Sequence, residues 1–138
     1  MMDEQTAVCA RLRATLAGIE RWLGDGPHEP ARLQALMADF EADFTMTAPD
    51  GSRLDSGGLQ AFFEQAAGSR PGLRIALTEM TVLSLGMSEA VAAYYETQTL
   101  DDGSGNGRHA TALLRRNGAN WRWRHLQETL AASWPADQ

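Results

Sequence analysis

Apolar residues at Val8, Leu12, Leu16, Ile19 and Leu23 recur every three or four positions, the spacing of one face of an amphipathic helix. Gly24-Asp25-Gly26-Pro27 ends that pattern. Pro30 suits the first turn of a second helix, with Leu33, Leu36, Met37 and Phe40 on one side. The period then changes to two. Phe44, Met46 and Ala48 alternate with Asp43, Thr45 and Thr47, which predicts a short strand closed by the turn Pro49-Asp50-Gly51. A third helix is expected from Asp55 or Ser56, either of which can cap it, with Leu59, Phe62, Phe63 and Ala66 as its apolar stripe and Gly68 at its end.

Beyond Pro71-Gly72 the chain reads as strand. Residues 73–85 carry Leu73, Ile75 and Leu77 on one parity and Met80 and Val82 on the other, so a bulge or bend is expected near Glu79. Further strands are predicted over 89–100, 108–116 and 121–130, with a flexible loop from Asp101 to Gly107 and a tight turn at Asn117-Gly118-Ala119-Asn120. The order helix, helix, strand, helix, then four long antiparallel strands predicts one α+β domain over 1–138. Three helices pack on the concave face of a strongly bent, mostly antiparallel sheet, which leaves a cone with a pocket at its mouth.

This order resembles the nuclear-transport-factor-two-like (cystatin-like) superfamily, particularly its SnoaL-like and functionally uncharacterised members. The resemblance is carried by the stretch from Leu33 to Met46 (LxxLMxxFxxDFxM), by the Pro49-Asp50-Gly51 turn feeding Leu59-x-x-Phe62-Phe63, and by the closing WRWRHLQET from Trp121 to Thr129. It covers nearly the whole chain. It implies a cone-shaped fold and leaves function open, because the superfamily holds isomerases, cyclases, dehydratases, epoxide hydrolases, association domains and transport factors. The Asp/Tyr constellation of ketosteroid isomerases and the Asp-Arg-Asp set of epoxide hydrolases have no clear counterparts here, so neither chemistry is carried over.

The candidate chemistry follows from strand register. Pairing Ala112 with His125, Leu114 with Trp123 and Ala110 with Gln127 gathers the apolar residues on one face of the last hairpin. The other face then holds His109, Thr111, Arg115, Arg122, Arg124 and Glu128. Small Ala110 and Ala112 opposite long Gln127 and His125 leave room for a ligand walled by Trp121 and Trp123. On the preceding strand Tyr94, Glu96 and Gln98 share a parity and are expected inside. A buried Glu96 needs a partner, and His125 is the natural one for acid–base work, with Tyr94 as a hydrogen-bond donor. Phe44 and Met46 complete the expected ligand-binding set. A core-bonded or rim histidine and a solvated Glu96 are the competing readings, and Asp43 is a second candidate carboxylate.

Net charge is −6 and every basic residue is Arg. The acidic balance argues against a duplex-binding surface, and the absence of Lys excludes Schiff-base chemistry and a P-loop lysine. The single cysteine, Cys9, allows no intrachain disulfide. Asp102 to Gly107 opens like a calcium loop, but Leu113 stands where the bidentate Glu belongs. His28, His109 and His125 show no metal-ligand spacing, so no metal and no cofactor is expected. The acidic start lacks a secretory core, and no apolar run is long enough to span a membrane. A cytoplasmic homodimer, joined through the outer sheet face rich in β-branched residues, is expected to bind a small apolar or amphipathic molecule. A small acid–base enzyme acting on an apolar ring and a ligand-free association module are the alternatives.

Overall fold

The computed structural model describes residues 3–132. Three helices, α1 (Glu4–Leu23), α2 (Pro30–Met37) and α3 (Ser56–Ala66), accompany six strands: β1 (Phe40–Thr47), β2 (Arg53–Asp55), β3 (Arg74–Leu85), β4 (Glu89–Thr99), β5 (Gly105–Asn117) and β6 (Asn120–Leu130). The strands form one open sheet in the order β2-β1-β6-β5-β4-β3, antiparallel throughout except for the parallel pair β1 and β6. This is the expected α+β cone. Among the described residues, no helix is long and apolar enough to cross a membrane.

Local chemistry accounts for the helix starts. Asp3 caps α1 by accepting from Thr6 N at 2.7 Å, and Asp55 caps α3 by accepting from Gly58 N at 2.8 Å. Pro30 opens α2, where its missing N–H costs nothing. Phe40 belongs to β1 and not to the face of the second helix, because α2 stops at Met37. The short strand β2, which the sequence pattern did not signal, pairs with the end of β1.

The core lies between the helices and the concave face of the sheet. Val8, Leu12 and Leu16 of α1 and Phe63 of α3 pack with Phe44, Ala92, Ala112, Leu114 and Trp123 from the strands. Trp123 stacks on Phe40 at 5.8 Å and donates its indole N–H to Thr15 Oγ1 at 3.0 Å. Burying such a ring removes 150–250 Å² from water, worth roughly 5 kcal/mol. Thr15 in turn donates to Asp39 at 2.7 Å, and Arg11 reaches both Asp39 and the Trp121 carbonyl at 2.9 Å. The polar relay fixes α1 against the start of β6.

Two of the register irregularities in the sheet bear on the site. At Glu79 the backbone turns to φ 55° and the β3–β4 register slips between Thr78 and Thr81, where the sequence parity changes. The second lies in β6. Its turn-proximal half pairs as expected, with Leu114 opposite Trp123 and Arg115 opposite Arg122. Arg124 is then an extra residue, and beyond it Leu113 faces His125, Ala112 faces Leu126, Thr111 faces Gln127 and Ala110 faces Glu128. The expected pairs Ala112–His125 and Ala110–Gln127 do not form. Every β6 side chain past the bulge changes face.

The segment Asp101–Gly107 is shorter as a loop than expected, since β5 begins at Gly105. A side chain at Gly105 would collide with the Gln98 carbonyl, so only glycine allows this close pairing. Asp102 Oδ1 already accepts from the N–H and hydroxyl of Ser104, at 2.9 and 2.6 Å, forming an Asx turn.

Candidate functional site

The cone encloses a cavity of about 430 Å³. Its walls are apolar. Leu16, Ile19 and Leu23 come from α1, Leu59, Phe62 and Phe63 from α3, and Phe40, Phe44 and Met46 from β1. Helical spacing of three or four and strand spacing of two each deliver a clean apolar stripe to this space. Phe62 is half exposed.

The polar end is built by three adjacent strands. Glu96 and Gln98 of β4, Arg108 of β5 and Glu128 of β6 line the cavity, joined by Arg70 from the connection between α3 and β3. Glu96 and Arg108 are direct register partners. Arg108 Nη1 donates to Glu128 Oε1 at 3.0 Å, with both side chains largely buried, and its other nitrogens hold Asn106. Arg70 Nη1 donates to Gln98 Oε1 at 2.8 Å, and Gln98 Nε2 donates to Glu96 Oε2 at 2.6 Å. Glu96 is 1% exposed, and its second oxygen, Oε1, is buried without a partner among the described residues. Such an atom is costly in a folded chain unless it finds a partner.

Burial lifts Glu96 from the ordinary glutamate value of 4.5 to about 7, reinforced by the negative Glu128 and opposed by the Gln98 hydrogen bond and by Arg108. Burial also raises Glu128, against the pull of Arg108. Tyr94, one pair further along β4, has its hydroxyl buried without a partner among the described residues. Burial and then the nearby Glu96 and Glu128 push its proton affinity well above that of free tyrosine.

The expected site residues divide accordingly. Glu96, Gln98, Phe44 and Met46 line the cavity. Tyr94, Ala112, Trp121 and Trp123 are buried in the core beside it and do not line it. Trp121 donates to Glu4 at 3.2 Å, so both tryptophans of β6 serve packing and tethering. His125 and Gln127 lie on the outer side of the sheet. The Arg124 bulge puts them there, and His125 Nδ1 shares a 2.7 Å hydrogen bond with Thr45 Oγ1. The expected Glu96–His125 pair is therefore not formed. Asp43 is also outside, between Arg115 at 3.3 Å and Arg124 at 3.2 Å. Glu128, assigned by parity to the solvated face, is instead 5% exposed and inside. The sequence held one signal for this: Trp121 and Trp123 share a parity, and the next apolar residue, Leu126, breaks it. Arg108 and Arg70 carried no such signal, since each reads as an ordinary surface arginine.

A solved structure from Pseudomonas aeruginosa, an NTF2-like protein of unknown function, is 36% identical, with a TM-score of 0.85 over 91% of this chain and 98% of that one. The chain belongs to the NTF2-like family. An NTF2-like protein from Cytophaga hutchinsonii superposes with a TM-score of 0.75 at 12% identity, covering 94% of this chain and all of that one. A ketosteroid isomerase-like protein from Erwinia carotovora atroseptica gives 0.69 at 15% identity, covering 96% and 100%. At such identities these two neighbours share the fold alone. No family model and no curated protein matches the sequence.

Proposed function

We propose that this NTF2-like domain binds a small, largely apolar molecule in the cone, with one polar group of the ligand engaging Glu96. The observation that carries this reading is the unpaired, buried Oε1 of a glutamate lining a 430 Å³ apolar cavity. Sites of this kind pair an apolar wall with a few convergent polar groups. The neutral apolar fluorophore N-phenyl-1-naphthylamine tests it. Wild-type protein is expected to enhance its emission with one-to-one stoichiometry, and Met46→Trp or Leu59→Trp, which fill the cavity, to abolish the effect while far-UV circular dichroism is retained. Undiminished enhancement in both folded variants would place the dye elsewhere and remove the support.

A second reading, proton transfer, is favoured by the Glu96 value of about 7. A carboxyl poised near the working pH serves as both acid and base, and such chemistry needs no cofactor. The ketosteroid isomerase-like neighbour is compatible with this reading at the level of fold. Exchange of the α-protons of 2-tetralone in D2O, followed by proton NMR, is expected to be accelerated by wild type and not by Glu96→Gln. Rates equal to buffer would leave binding without catalysis. Homodimerisation through the outer sheet face remains part of the proposal, supported by Val91, Ala93, Thr97 and Thr99 on the outward parity of β4. A monomer mass by sedimentation equilibrium at 100 µM, a concentration of order 10⁻⁴ M chosen to favour weak dimers, would remove it.

A further inference from the structure

We infer that the ligand is an apolar carboxylic acid bound as its monoanion, with Arg70 holding the carboxylate. This deepens the proposed binding role and rests on it. Arg70 lines the cavity and is only partly exposed, yet the acceptor it meets, Gln98 Oε1, is neutral. Among the described residues no carboxylate lies within 4.0 Å of its guanidinium. Arg108 is used differently. Glu128 and Asn106 occupy it. The polar end thus holds two guanidiniums and one carboxylate committed to a guanidinium, while the second carboxyl, Glu96, forms an ion pair with neither.

With Glu96 in its acid form, the polar end carries one unbalanced positive charge beside an apolar space. A ligand carboxylate balances it. One oxygen accepts from the free N–H groups of Arg70, whose fork suits a carboxylate. The other accepts from the Glu96 carboxyl, giving the unpaired oxygen a partner. A neutral ligand would leave Arg70 unmatched, and a cation would meet two guanidiniums.

The arrangement ties binding to pH. The groups that face Glu96 are Tyr94 and Gln98 on its own strand, Arg108 from β5, Glu128 from β6 and Arg70 from the α3–β3 connection. The helices α1 and α3 contribute only apolar side chains to the cavity, and Leu77 of β3 pairs opposite. Ionisation of Glu96 places a second negative charge at the carboxylate and cancels that of Arg70. Binding to the acid form alone weakens affinity by about tenfold from pH 6 to pH 8 for a group titrating near 7. The ligand itself stays ionised throughout this range.

Calorimetric titration with 2-naphthoate and decanoate, each beside its primary amide, tests the inference. At pH 6.5 the acids are expected to bind at least tenfold more tightly than the amides. Arg70→Gln is expected to remove that preference, Arg70→Lys to retain part of it, and Glu96→Gln to flatten the pH profile. Amides binding as tightly as acids, an equal effect of Arg70→Gln on both, or a wild-type affinity constant from pH 6 to 8 overturns the anion assignment while leaving the cavity a binding site. Failure of all four compounds to bind overturns both. Thermal midpoints of the variants identify any loss of fold, and Arg70→Lys then carries the comparison.

Discussion

Replacing Glu96 by glutamine removes one titrating proton and leaves the shape of the side chain unchanged, so its effect on stability must depend on pH. The carboxyl titrates at about 7 in the folded chain and at an ordinary 4.5 once unfolded, so the folded state binds its proton more tightly. The stabilisation is complete below pH 4.5 and is lost as pH rises through 7. The gap between those two values, at about 1.4 kcal/mol per pH unit, amounts to roughly 3 kcal/mol. Urea unfolding followed by tryptophan fluorescence, for wild type and Glu96→Gln at pH 4.5, 6, 7 and 8, isolates this quantity, because all other groups titrate in both proteins. The variant is expected to gain roughly 3 kcal/mol on wild type between pH 4.5 and pH 8, with most of the change between pH 5 and 7. A difference that stays within about 1 kcal/mol across this range, or that shrinks as pH rises, refutes the buried, proton-retaining Glu96.

The Arg108–Glu128 pair, 3.0 Å apart and largely buried, is expected to be costly to break: Arg108→Met should lose about 3–5 kcal/mol, and the double variant with Glu128→Leu should recover most of it, measured by the same urea curves. Equal losses in the single and double variants would show that the charge left behind is not the cause. At Glu79 the positive φ outweighs strand preference, so Glu79→Val should destabilise by about 1 kcal/mol although valine favours strands, and Glu79→Asn should be neutral or slightly stabilising; a stabilising valine in a thermal melt contradicts the bend.

The sequence alone determined most of the architecture, because it depends on local periods. The stripe from Val8 to Leu23, the cap at Asp55, the start of α2 at Pro30 and the parity change at Glu79 each specify an element or a bend within a few residues, and the structure shows all of them. Alternation along one strand also puts Glu96 and Gln98 on a shared parity, but that this parity faces inward is decided by the packed sheet. Tertiary structure decided which side chains meet at the polar end. One extra residue, Arg124, held by the Asp43 carbonyl at 2.9 Å and the Asp43 carboxylate, turns His125 outward and Glu128 inward. A bulge changes pairing by one position, and with a period of two that exchanges the faces of everything beyond it. Arg70 reaches the cavity through a connection whose path depends on its backbone bond to the Leu23 carbonyl at 2.8 Å, a contact between residues far apart in the chain. The raised proton affinity of Glu96 likewise belongs to no segment, since it arises when three strands and two helices together exclude water from a carboxyl.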